Sequence, residues 1–425
     1  MQPFTTYSSR TGLALTMVLA VGQVNAGDDV FGTPAEPGDD LFGGASLVTD
    51  VIANEVNLAE DMLTGDEVLN WSGSFAWQSA GILIDQPTVE HDPQVQSELS
   101  GNLKLDARPS VDYRVLLNLD YSATADGSSS LLREAFADFD LDNQLFIRAG
   151  QQTLQWGVGY FYSPVDTLSQ DSIDANDPDQ DRIGTMAAKI HKPKGTANYY
   201  AYLLPDDTAN SYSIAVKGEW LLGSQEWGLG VVRQANNELN LVVTGSVPTD
   251  LGDLFTEYNL SLGETSLGLS AAGSLYDRSD ELLQQFTVGM RASQDIGPDS
   301  SLSLSGQYYY NGLGYTEPTW STAANDWQSL TLGREVAEQL SQQLAALMIQ
   351  LADPYGLPLS ASMLGLSSLT DGSAMLKSTV TLSPNDFVST ALSVTTLMGD
   401  PGGEYAPMGD LSRYELTLTL GSQSF

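Results

Sequence analysis

From residue 68 onward, apolar and polar residues alternate in short runs. Leu69, Trp71, Gly73, Phe75 and Trp77 fall on one face, with Asn70, Ser72, Ser74, Ala76 and Gln78 on the other. The next run sets Leu99, Gly101, Leu103, Leu105 and Ala107 against Glu98, Ser100, Asn102, Lys104, Asp106 and Arg108. After a Pro109-Ser110 turn, Tyr113, Val115, Leu117, Leu119 and Tyr121 oppose Asp112, Arg114, Asn118 and Asp120. A period of two puts one face of a strand against an apolar medium and the other against water. Similar runs occupy 131–141, 144–152, 185–192, 196–204, 211–221, 226–234, 255–262, 266–276, 283–293, 301–310, 373–382, 387–398 and 412–425. That makes about 16 strands, each near the length of about 9–11 residues that a tilted membrane strand needs. The run 238–246 alternates too. It is assigned to an outer-loop hairpin, because a seventeenth strand would leave the two ends of the sheet on opposite sides.

Soluble sandwiches also alternate. Two features point to lipid. The polar faces carry rows of both charge signs, as a water-filled lumen would, and Trp71, Trp77, Tyr113, Tyr121, Tyr308 and Tyr414 sit near strand ends, where a membrane girdle lies. The expected fold is all-β: a single antiparallel transmembrane barrel over 68–425, with short N-terminal and loop helices.

Three other stretches break the alternation. Arg10 is the only charge before residue 27, 12–21 is apolar, and Val24-Asn25-Ala26 offers small residues for cleavage, the layout of a signal peptide over 1–26. Residues 27–67 then form an acidic periplasmic segment with a helix near 45–63. It repeats Asp28-Asp29-Val30-Phe31-Gly32 as Asp39-Asp40-Leu41-Phe42-Gly43. Phe31 and Phe42 are candidates to dock a periplasmic partner or plug the lumen, against a plain spacer. In 334–351, Val336, Leu340, Leu344, Leu347, Met348 and Leu351 form a helical stripe, giving a helix in an outer loop.

Charge narrows the function. With 17 Lys+Arg against 54 Asp+Glu the formal net charge is −37, which argues against nucleic acid as a partner. The chain has no cysteine, which excludes disulfides, Cys-bound metals and Cys nucleophiles. Candidate lumen and selectivity residues are Glu98, Lys104, Asp106, Asp112, Arg114, Asp120, Glu134, Asp138 and Arg148. Arg148 is expected beside Glu134 or Asp138 across a hairpin, and the carboxylates of the strip should favour cations. The loop carrying Asp171, Asp174, Asp177, Asp179 and Asp181 is dense enough in oxygen ligands to hold Ca²⁺, with Asp174, Asp177, Asp179 and Asp181 as ligands, or is simply solvated and paired with Arg182. An EF-hand is excluded, since Arg182 and Ala188 stand where Gly and Glu are needed. The only histidines, His91 and His191, have no sequence-local catalytic partner, so no enzyme is expected.

Residues 131–205 carry a more specific signal: Leu132-Arg-Glu-Ala-Phe-Ala-Asp138, Phe146-Ile-Arg-Ala-Gly-Gln151, Gln155-Trp-Gly-Val-Gly159, Ser163-Pro-Val-Asp166, Arg182-Ile-Gly184 and Tyr202-Leu-Leu-Pro205. This order resembles a family of outer-membrane barrels related to alginate-export-type porins. The closing run 413–425, alternating and ending in Phe425, likewise resembles the last strand of bacterial outer-membrane barrels. The resemblance implies a Gram-negative outer-membrane location in contact with its lipid. It also implies a conduit working alone or with a periplasmic or inner-membrane partner, as in lipid or hydrophobe export. A structural or adhesion barrel is the alternative. Trp156-Gly157 and Pro164 read as loop architecture, because Gly and Pro set the backbone there.

Overall fold

The computed structural model describes residues 69–422 apart from 88, 111, 155, 207–210, 236–237, 263–266, 270–274, 278–280, 298–299 and 317–338. The signal peptide, the segment 27–67 with Phe31, Phe42 and its helix, and the terminal Phe425 lie outside the described residues.

The strands in chain order are β1 (Leu69–Gln86), β2 (Val89–Glu90), β3 (Gln94–Ser110), β4 (Tyr113–Thr124), β5 (Gly127–Leu141), β6 (Leu145–Gln152) and β7 (Thr185–Lys194). They continue as β8 (Ala197–Pro205), β9 (Tyr212–Leu222), β10 (Gln225–Arg233), β11 (Leu239–Thr249), β12 (Gly252–Leu262), β13 (Leu267–Leu269) and β14 (Leu275–Asp277). The last are β15 (Leu283–Asp295), β16 (Ser301–Asn311), β17 (Gln343–Ala352), β18 (Leu359–Ser368), β19 (Ala374–Asn385), β20 (Val388–Met398) and β21 (Leu411–Ser422). Apart from β2, β13 and β14, each pairs antiparallel with its neighbours, and β21 closes the ring on β1 from Phe75↔Ser422 to Asp85↔Ser412. The wall therefore has 18 strands. A closed ring satisfies every wall backbone group without an edge, the condition for crossing lipid with strands.

Alternation sets which side faces which medium. Leu103, Val115, Ile190, Val216, Leu241, Val288, Leu347, Val380 and Leu416 point outward and are exposed, while Arg114, Lys189, Lys217, Glu257, Thr287 and Lys377 point inward and are buried. This inversion of a soluble protein gives an apolar belt. Outward Trp71, Tyr199, Tyr212 and Phe387 add aromatics near its borders. At one end the connections are tight turns such as 195–196, 223–224 and 250–251; at the other lie the long segments 153–184 and 399–410.

Three expectations change. The run 238–246 is a full wall strand, β11, and 266–276 is not one, being a small hairpin of β13 and β14 apart from the wall. The exchange leaves the number at 16, and two unexpected strands, β17 and β18, bring it to 18. The helix expected over 334–351 is replaced by β17 from Gln343 on. Residues 344–349 are apolar throughout, so helical and strand periods both fit them. The strand is apolar on both sides because Leu344 and Ala346 are buried inside the barrel while Leu347 faces out.

Arg133 is a bulge: Asn118 pairs with Glu134, and Leu119 with Leu132. Further along, β6 pairs only with residues 135–141 of β5, so residues 127–134 run past the top of β6 and pair with β4 alone.

Candidate functional site

The long segment between β6 and β7 turns into the barrel. Tyr160, Phe161, Tyr162 and Ala175 pack with Phe255, Tyr309, Leu344, Leu366, Met375 and Leu397, the inner face from β12 round to β20. Leu154, Trp156, Val165 and Leu168 pack with Ala187, Tyr200, Tyr202, Ala215, Val232 and Val242, the inner face of β7 to β11. Arg182 pairs with Asp166 within the segment, and Tyr160 donates to both oxygens of Asp179 at 2.9 and 2.8 Å, with Arg291 4.5 Å above its ring. Burial raises the Asp166 and Asp179 carboxyls above their usual range.

β1 and β3–β6 contribute nothing to either apolar cluster. Their inner side chains form a polar arc. Ser72, Ser74 and Gln78 on β1, Asn102, Lys104 and Asp106 on β3, and Asn118 and Asp120 on β4 are half-buried. Across this arc runs a row of ions in register: Arg114 opposite Asp138, Asp138 opposite Arg148, Arg148 opposite Lys189. Arg114 makes a bidentate pair with Asp106 (2.9 and 2.9 Å) and reaches Asp138 at 3.8 Å. Arg148 holds Asp138 bidentately at 2.7 and 3.0 Å. Arg108 takes the other side of Asp106 at 3.2 Å. The Arg148 guanidinium lies 3.9 Å over the Phe136 ring, and Arg114 lies 5.9 Å from it. Fork-shaped pairing and ring stacking fix both guanidinium planes, which a lysine could not reproduce.

The sequence candidates divide accordingly. Asp106, Arg114, Asp138 and Arg148 come together, and the pairing expected for Arg148 falls on Asp138. Asp120 is paired with the bulged Arg133 and accepts from Asn102 at 2.7 Å, while Lys104 stands on the same arc. Glu134 instead accepts from the Thr153 N–H at 2.7 Å, holding the start of the inward segment. Glu98 lies at the long-loop end of β3, and Asp112 is exposed in the turn before β4, outside the row. Of the carboxylates expected to favour cations, Asp106, Asp120 and Asp138 are thus occupied by arginines. The Ca²⁺ reading of Asp174, Asp177, Asp179 and Asp181 finds no support: among the described residues no three His, Cys, Asp or Glu gather at metal spacing. Asp179 is turned to Tyr160, and the Asp181 carbonyl is taken by Arg133. His191 stacks on Phe146 and Tyr200 and bonds Asn198, and His91 bonds Gln86.

The closed wall, outward apolar belt and charged interior define an outer-membrane β-barrel with an inward-folded segment. No family model and no curated protein sequence matches the chain. Among solved structures it is similar to OpdL of Pseudomonas aeruginosa (11% identity, 83% of this chain and 98% of that chain, TM-score 0.50). It is also similar to OpdQ of the same organism (7% identity, 83% and 97%, TM-score 0.50). A BenF-like porin from Pseudomonas fluorescens Pf-5 matches with 11% identity, 84% and 99% coverage and a TM-score of 0.49. These likenesses are of fold. They extend to outer-membrane barrels and do not single out the alginate-export type.

Proposed function

We propose that the chain is an outer-membrane channel for small, polar, negatively charged solutes, which pass along the arc of β1 and β3–β6. One observation carries this reading: the inward segment seals its apolar side chains against the β7–β20 wall, and the opposite arc keeps half-buried polar groups around an arginine row. Along that arc Asp106, Asp120 and Asp138 are each held by arginine, with Lys104 adding further positive charge. Fixed donors in a narrow, low-dielectric passage favour an anion over a cation even where the whole chain is acidic. An ion row of this kind suits polar solutes better than a lipid or other hydrophobe. Reconstitution in planar bilayers tests the proposal. The purified barrel should conduct, and in a salt gradient the double replacement Arg114→Ala/Arg148→Ala should shift the reversal potential toward cations. Absence of current from folded protein, or a reversal potential indifferent to both arginines, would sink it.

A further inference from the structure

The inward segment meets the wall through two side chains that lie away from the arginine row. Glu257, on the inner face of β12, is completely buried. Its Oε1 accepts from the N–H groups of Val158 and Gly159, the latter at 2.6 Å, and its Oε2 accepts from Ser163 Oγ at 2.9 Å. Among the described residues no lysine or arginine forms an ion pair with it. Its partners in register are the buried, neutral Thr244 and Thr287. The carboxyl group is therefore met by donors from the inward segment alone.

Gln307, on β16, completes the contact. Its Oε1 accepts from the N–H groups of Tyr160 at 3.2 Å and Phe161 at 2.8 Å, and its Nε2 donates to the Tyr162 carbonyl and, at 2.6 Å, to Thr287 Oγ1. Two wall side chains thus take up the polar groups of the turn 158–163. Gly157 makes the approach possible. A Cβ there would come within 2.3 Å of both Glu257 Oε1 and Ser163 Oγ.

We propose that Glu257 is a positioning residue: with Gln307 it latches the turn 158–163 to the wall and so sets the bore left along β1 and β3–β6. The inference rests on the channel reading for its consequence but not for its geometry. A carboxylate suits the task, since it accepts three hydrogen bonds while bringing no donor of its own. Without that acceptor the freed N–H groups would be buried and unpaired. Leaving the wall for water then becomes the favourable course. The wall blocks movement outward, so a released turn can only swing into the passage.

Glu257→Ala, which removes the acceptor, and Gly157→Ala, which leaves both wall side chains intact, test this in the full chain. Each is first shown to fold by the gel mobility of the closed barrel. Two quantities are then read: amide hydrogen exchange at Val158, Gly159 and Phe161, and single-channel current. Both variants should speed exchange at these amides by about tenfold or more. They should also increase closures, lowering mean current by at least about twofold. Unchanged exchange in folded variants overturns the latch. Faster exchange with unchanged current overturns its control of the bore. A wild type that never conducts, with exchange still accelerated in the variants, overturns the channel reading and supports the latch.

Discussion

Asp177 lies on the inward segment with Lys377 facing it from β19 and with Asp174 and Asp179 nearby. Burial pushes its carboxyl from the usual 3.8 up to about 6, Lys377 pulls it down, and the two neighbouring aspartates add to the rise. Between those values the seated segment holds a proton that the unfolded chain has released. Its seat therefore strengthens as pH falls and carries the full burial cost above about pH 6. Acidification from about pH 7 to about pH 5 should reduce channel closures, and Asp177→Asn should flatten that dependence in single-channel records. A pH response of full size in the variant would mean that another group, such as Asp179, governs the seat. At this scale the sequence was legible where one motif carries its own geometry. Phe146-Ile-Arg-Ala-Gly places Arg148 on the inner face, and Gly150 follows from close packing, since a Cβ there would come within 2.2 Å of the Ala135 carbonyl oxygen. Glu257 was not legible. It is one acid among 54, about a hundred residues from the turn it holds, and only closure of the wall brings them together.

Among the strands, those read correctly have one apolar and one polar face. β3 and β4 are the clearest cases, and Leu103 near the middle of β3 is exposed on the outer belt. Arg in its place should cost on the order of 2–4 kcal/mol near the bilayer midplane. Urea unfolding in lipid vesicles, followed by gel mobility, reads this directly; a cost near zero would move Leu103 out of the apolar belt. β17 and β18 escaped the pattern for a physical reason. The inward segment presents Tyr162 and its neighbours to their inner face, so Leu344, Ala346, Leu364 and Leu366 are buried where water-facing residues would otherwise stand. Alternation reports the medium on each side of a strand. Where a folded segment replaces water, the signal disappears. β11 was lost differently, to a parity argument that failed because the run 266–276 had been counted as a wall strand in its place.

At the scale of the whole molecule, tight turns gather at one end and long segments at the other, and bacterial barrels of this kind keep their short turns in the periplasm. An epitope inserted in 399–410 should bind antibody on intact cells, and one in the turn 223–224 should bind only after the outer membrane is opened. The reverse labelling would invert the assignment. Whole-chain charge and the local pattern differ, since the −37 is spread over the chain while Arg108, Arg114, Arg133 and Arg148 collect on one arc. Two of the three connections that cap that arc, moreover, are short. They are 87–93 and the turn 125–126, the third being the inward segment that follows β6, and residues 127–134 of β5 rise past β6 still bonded to β4. On the channel reading, the doorway to the passage is thus framed in part by paired hairpins, a stiff lintel. On that reading, insertions that vary the surface should be borne in 399–410 more readily than in 125–126, where the chain is still held in the wall.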